Sequence, residues 1–189
     1  MGKSPLFISI TKLSYIHASQ HLTEKQVQAL FKATETAFKS GCPLNRFITI
    51  HYDDLADKKR PQKFVLKFLE HSRKWLQRRG LPVAYLYTLE NGKTKGLHVH
   101  ILIHIPRGCQ RKYRQAMARW LPFEIRKPRV DTKTIQYPDF GKLSPLHGVY
   151  GTLRYMCKGI NPKSPLLNIE AIDQGEVMGR RWGISKLLR

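Results

Sequence analysis

Hydrophobic and polar positions alternate most strictly in GLHVHILIHI (96–105). Val99, Ile101, Ile103 and Ile105 fall on one face of a strand, and His98, His100, Leu102 and His104 on the other. PVAYLYTLE (82–90) has the same strand character, and the Gly-containing loop between the two predicts a hairpin. NRFITIHY (45–52) alternates with β-branched residues and predicts another strand, as do PLFISITKL (5–13) and VDTKTIQY (130–137). Elsewhere the period lengthens to that of a helix. HLTEKQVQALFKATETAFKSG (21–41) has Thr23 as its cap, Gln26 at the capping-box position and Gly41 as its stop. KFVLKFLEHSRKWLQRRG (63–80) places Phe64, Phe68, Trp75 and Leu76 near one face and ends at Gly80. QRKYRQAMARW (110–120) is a basic helix, and SPLHGVYGTLRYMCKG (144–159) starts at Ser-Pro and stops at Gly, with Gly148 and Gly151 weakening its first turns. The order strand, helix, strand, helix, hairpin, helix, strand, helix predicts an α+β protein with a central antiparallel sheet and helices packed on one side of it.

Composition changes this picture in one respect. Hydrophobic and charged fractions are those of an ordinary globular chain, but 34 Lys and Arg stand against 13 Asp and Glu, a net charge of +21. An excess of that size calls for a polyanion, and nucleic acid is the expected partner; a passive basic surface or an anionic membrane surface is the alternative. Cys42, Cys109 and Cys157 are widely spaced and read as reduced thiols of a cytoplasmic protein. No stretch approaches a membrane span, and the polar start MGKSPLF is not expected to act as a signal peptide.

The histidine face offers chemistry. Positions i and i+2 of a strand lie roughly 7 Å apart, so His98 and His100 can converge on one metal ion, whereas His104, roughly 13 Å from His100, is read as an outer or core histidine. With the hairpin turn centred near Thr94, Glu90 falls opposite His98 and points to the same face. One carboxylate and two imidazoles form a mixed N/O set suited to Mn²⁺ or Mg²⁺ on a phosphate, with zinc left open. A half-wet sheet with polar residues outside is the bland alternative. His51 is expected at the surface, with an extra metal ligand as the alternative, and Asp53 or Asp54 is an alternative carboxylate to Glu90.

FITIHY (47–52), GLHVHILIHI (96–105) and YMCKG (155–159) resemble, in order and spacing, the three motifs of rolling-circle replication initiators of the HUH endonuclease superfamily. The first is similar to an apolar strand with Thr at its centre, HVH is the His-hydrophobic-His pair, and Tyr155 and Lys158 match Tyr-x-x-Lys. GRRWGISKLL (179–188) resembles the ending of phage and plasmid members. The resemblance spans residues 45–189, which it implies are an endonuclease domain of RRM/ferredoxin-like HUH fold; residues 1–44 are expected as an N-terminal strand and helix packed on that core.

The resemblance implies nicking of single-stranded DNA at an origin hairpin or nick site. Tyr155 would attack the scissile phosphorus, leaving a 5′-phosphotyrosine and a free 3′-hydroxyl. His98, His100 and Glu90 would hold the metal, and Lys158 would hold the phosphate or stabilise the phenolate. A Tyr-x-x-Lys pair is about 60° apart around a helix, so both can face the sheet. Tyr150 is five residues from Tyr155, about 140° around, so a single catalytic tyrosine is expected. Arg154, Lys93, Lys95, Arg180, Arg181 and Trp182 are expected to contact DNA, although Trp182 also fits a buried residue closing the fold. No GxxxxGK[ST] loop is present, so a host helicase and polymerase are expected partners. Competing readings are an HUH transposase, a non-catalytic DNA-binding regulator, and a phosphodiesterase that uses water.

Overall fold

The computed structural model describes residues 18–52, 61–121, 130–137, 146–164 and 169–189. The strand expected at 5–13 and the carboxylates Asp53 and Asp54 lie outside the described residues.

In chain order the elements are β1 (Ala18–Ser19), α1 (Glu24–Lys39), β2 (Arg46–His51), α2 (Pro61–Gln77), β3 (Tyr85–Gly92), β4 (Gly96–Ile103), α3 (Gln110–Trp120), β5 (Val130–Thr134), α4 (His147–Met156), β6 (Val177–Met178) and β7 (Trp182–Ile184). A 3₁₀ turn, Arg107–Cys109, leads into α3. Five strands form one antiparallel sheet in the order β5-β2-β4-β3-β7, and β1 pairs with β6. The hairpin closes at Gly92 opposite Gly96, so its turn is centred on Thr94 as the sequence predicts. Thr23 caps α1 through its side chain, and Gln26 returns the bond to the Thr23 N–H. Two otherwise unbonded N–H groups are thereby satisfied.

The helices do not lie on one side of the sheet, as the alternation alone predicted; they cover both. α2 and α3 close over Ile48, Ile50, Leu89, Val99, Ile101 and Ile103. α1 and α4 pack on the other face, against Phe47, Leu86 and Leu102. The physical reason is that the histidine face is polar only over part of its length. Two cross-strand rows are polar, His51–His98–Glu90 and Thr49–His100–Thr88, but the next row is Phe47–Leu102–Leu86. Three large apolar side chains in one row have to be buried, and helices on that end bury them. The polar rows are left at the edge of the helical cover.

Residues 18–44 join the same packing. Val27, Leu30, Ala33 and Ala37 of α1 share a core with Val149, Leu153 and Met156 of α4. Leu22 bonds on both sides of Ile160, its N–H to the carbonyl of Gly159 (2.8 Å) and its carbonyl to the N–H of Asn161 (3.0 Å). No helix among the described residues is long and apolar enough to cross a membrane, and Cys42, Cys109 and Cys157 carry free thiols.

Candidate active site

Three strands and one helix end build the site. Register sets Glu90 of β3 directly opposite His98 of β4, and His100 opposite Thr49 of β2. One ligating atom from each of Glu90, His98 and His100 lies within 4.8 Å of the others, and all three side chains are buried. The Nε2 atoms of His98 and His100 lie 3.0 and 3.5 Å from Glu90 Oε2. Neither approach has the alignment of a hydrogen bond. Both Nε2 atoms, and Glu90 Oε1, are buried without a hydrogen-bond partner.

Buried polar atoms left unbonded are costly, about 1–3 kcal/mol each, so two imidazole nitrogens that converge on one carboxylate need an explanation. A divalent cation supplies one. The opposite ring nitrogens are already engaged: His98 Nδ1 with the Gly96 carbonyl at 2.9 Å, and His100 Nδ1 with Thr49 Oγ1 at 2.9 Å. A proton on Nδ1, held by the Gly96 carbonyl or the Thr49 hydroxyl, leaves the Nε2 lone pair free to ligate. Burial lowers the His100 imidazole to about 4, against the opposing pull of Glu90, so it is neutral at pH 7 as ligation requires. Burial alone would raise the Glu90 carboxyl. Its contacts with His100 and His98, with the charge of Lys158 behind them, more than offset this and hold it below the usual carboxylate range. Two imidazoles and one carboxylate therefore form a group able to hold a divalent metal.

α4 brings the other two groups. Val149, Leu153 and Met156 anchor its inner face, which turns Tyr155 outward at 40% exposure. The Tyr155 ring meets His100 edge-on (centroids 5.2 Å apart) and Phe47 likewise (6.3 Å). Lys158 is not on the helix, as the sequence predicted, because α4 stops at Met156 and Cys157 is its cap. It lies in the following turn, where the Ile172 N–H holds its carbonyl at 2.7 Å. From there Lys158 Nζ reaches Glu90 Oε2 at 2.5 Å and lies 4.1 Å from the centre of the Tyr155 ring. The metal-ligand group, the lysine and the tyrosine thus form one contiguous cluster.

Two clefts meet at this cluster. One, of about 590 Å³, runs past Glu90, Lys93, Lys95, Arg154 and Lys158. The other, of about 690 Å³, runs past Thr49, His51, His100, Lys133 and Gly151. Tyr155, His98 and Lys95 belong to both. Gly148 and Gly151, which in the sequence only weaken α4, shape the second cleft. A Cβ on Gly148 would come within 2.5 Å of the Gln136 carbonyl, whereas Gly151 has nothing within 4 Å and leaves open space.

The remaining expected residues divide. Lys93, Lys95 and Arg154 are exposed along the first cleft. Arg180 is exposed and lies over the half-buried ring of Trp182, whose strand closes the sheet beside β3. Arg181, expected at the DNA surface, is instead only 2% exposed. Its guanidinium donates to the carbonyls of Ser19 (2.7 Å) and Gly175, tying the N-terminal segment to the loop at 169–176 that walls the first cleft. His104 is a core histidine whose Nδ1 meets the Pro43 carbonyl at 2.7 Å. His51 stacks on His98 with ring centres 5.3 Å apart. Tyr150 points away to Glu35, to which its hydroxyl donates at 2.9 Å. Burial and the Glu35 carboxylate push its phenol up to about 12. Thr49, the Thr at the centre of FITIHY, is the residue that orients His100.

A comparison with curated proteins returns no match. Among solved structures, the fold aligns with the N-terminal nuclease domain of the non-structural protein-1 of minute virus of mice, at 11% identity over 60% of this chain and 75% of that chain. The TM-score is 0.34, a likeness that carries no functional weight. The sequence itself is more specific. Residues 45–160, more than half of the chain and containing every member of the cluster, match the replication-associated proteins ORF2/G2P. The chain belongs to that family of rolling-circle replication-associated proteins.

Proposed function

We propose that the protein nicks and rejoins single-stranded DNA at a replication origin, by transesterification through Tyr155. The observation that carries this reading is the convergence of an exposed tyrosine, a lysine and a Glu90–His98–His100 metal-ligand group where two clefts meet.

A DNA strand laid along both clefts brings one phosphodiester over the cluster. The Tyr155 hydroxyl oxygen attacks the phosphorus and the bond to the 3′-oxygen breaks. Phosphate stays on the tyrosine as a 5′-phosphotyrosine, and the phenolic proton is balanced by protonation of the departing 3′-hydroxyl. Attack by a 3′-hydroxyl on the phosphotyrosine reverses the step and seals a strand. A phenolic hydroxyl is a weak nucleophile at neutral pH, so the phosphate has to be made more reactive. Glu90, His98 and His100 would hold Mn²⁺ or Mg²⁺, which when bound draws electron density from a non-bridging oxygen. Lys158 has three N–H donors and uses one on Glu90, which leaves donors for a phosphate oxygen beside Tyr155.

In this reading residues 45–189 form the endonuclease domain, with residues 1–44 as an extension that packs on it. Lys93, Lys95 and Arg154 hold backbone phosphates in the first cleft. The released 3′-hydroxyl primes a host polymerase in the cytoplasm, behind a host helicase.

The test is incubation with a pool of end-labelled single-stranded DNAs and Mn²⁺, Mg²⁺ or Zn²⁺, read on a denaturing gel. The expected result is a protein–DNA adduct with Mn²⁺ or Mg²⁺ that Tyr155→Phe abolishes and Tyr150→Phe retains. Cleavage without an adduct would assign the attack to water and overturn the tyrosine route.

A further inference from the structure

The sheet face opposite the histidines carries a cleft of about 300 Å³ between α3 and β5, the edge strand. Four arginines line it: Arg46 at the start of β2, Arg107 in the 3₁₀ turn, and Arg111 and Arg114 on α3. Its floor is apolar, formed in part by Ile48, Ile105 and Met117, and among the described residues no carboxylate lines it.

Four guanidinium groups around one concavity repel one another, and they cannot relieve this by losing protons. The fold adds to the positive potential. The first turn of α3 holds no acidic residue and carries Arg111, where the helix dipole would favour a negative charge. Arg46 is fixed rather than mobile. One of its nitrogens donates to Thr134 Oγ1 at 2.5 Å and another to Gln110 Oε1. Burial, and then the charge of Arg114, lowers its pKa. A held, partly desolvated arginine with three others beside it is built for an anion with several acceptor oxygens.

Position selects the anion. Thr134, which accepts the Arg46 bond, also lines the second cleft of the histidine face, together with Lys133. Residues of the edge strand β5 thus line both clefts, and a polyanion leaving the site past Lys133 and rounding β5 would meet the arginines. We propose that the arginine cleft is a non-catalytic phosphate site that grips the DNA backbone after the strand has crossed the β5 edge. This rests on the reading that the histidine face acts on DNA, and it extends the DNA path to the opposite face of the sheet.

The experiment compares the full chain with Arg107→Gln/Arg114→Gln and with Lys63→Gln/Arg78→Gln. The second pair removes the same charge from exposed positions in and after α2, outside the described clefts. All are titrated with a single strand of about 8 nucleotides and one of about 25, lengths bracketing common single-strand site sizes. Arg111→Gln is an independent variant, and circular dichroism checks folding.

The expected result is a loss confined to the long strand. The arginine pair should weaken its binding about ten-fold more than the control pair, and the slope of log K against log salt should fall by about 1. Adduct formation on the short strand should match wild type. Equal losses in the two pairs would reduce the effect to bulk charge and overturn the proposal while leaving the nuclease reading intact. So would a defect in which inorganic phosphate competes less well against the arginine pair but long-strand affinity is unchanged, which would mark a site for a free ion. If wild type bound neither strand, the DNA reading of the histidine face would fail, and this proposal with it.

Discussion

On one side of β4, Val99, Ile101 and Ile103 are closed in a dry layer beneath α2 and α3. On the other side, offset by one residue each time, His98 and His100 stand with buried ring nitrogens unbonded. The Tyr113 hydroxyl within that layer, whose pKa burial raises, bonds Ser72 Oγ at 2.8 Å. One strand therefore supplies both a stabilising face and a reactive face. The alternation of side chains lets each be built without disturbing the other. The reactive face is rigid for the same reason, because its histidines ride on a strand whose alternate residues are locked into the core.

This division makes predictions that can break it. The largest effect is expected from His100→Ala, which should abolish nicking and reduce metal affinity by at least about 100-fold, judged against the 10–100-fold typical of outer-shell partners. Isothermal titration with Mn²⁺ and a nicking assay read this. Its thermal midpoint without metal should stay close to wild type, and a collapse of the fold would show that the faces are not separable. Ile101→Ala, one residue away, should do the reverse. A fully buried side chain is deleted, and urea denaturation should register a loss of about 2–5 kcal/mol. Metal affinity measured below the unfolding range should be retained.

Thr49→Ala sharpens the comparison on the reactive face. It leaves the ligand set intact but frees the His100 ring, and should weaken Mn²⁺ binding about 10–100-fold with little change in stability. The smallest effect is expected on the dry face. Tyr113→Phe removes one hydrogen bond and leaves Ser72 unbonded, at a cost of about 1–3 kcal/mol in denaturation, with nicking unchanged.

Much of the reactive face was legible in the sequence because it depends on short-range rules. Alternation put His98 and His100 on one face, and a hairpin turn centred on Thr94 put Glu90 opposite His98. Features that depend on long-range packing were not legible. The expectation of helices on one side failed because Phe47, Leu86 and Leu102 come from three strands and form an apolar row only after pairing. Lys158 was expected on the helix because Gly159 looked like its stop, yet α4 ends at Met156 and the Ile172 N–H fixes the turn. Arg181 read as a surface arginine beside Trp182. Its burial depends on carbonyls at Ser19 and Gly175, and Ser19 is 162 residues away in the chain. Tyr150 was separable from Tyr155 by helical angle alone, and the bond to Glu35 supplies a partner that the angle does not identify.

The central claim is that Tyr155, on the reactive face, is the nucleophile. The most direct measurement is peptide mapping by mass spectrometry of the protein–DNA adduct after nuclease and protease digestion. The account predicts a residual nucleotide 5′-phosphate on the peptide containing Tyr155, attached at that side chain, and a free 3′-hydroxyl on the released strand. A nucleotide attached to Tyr150 or any other residue, or cleaved DNA with no modified peptide, would contradict it.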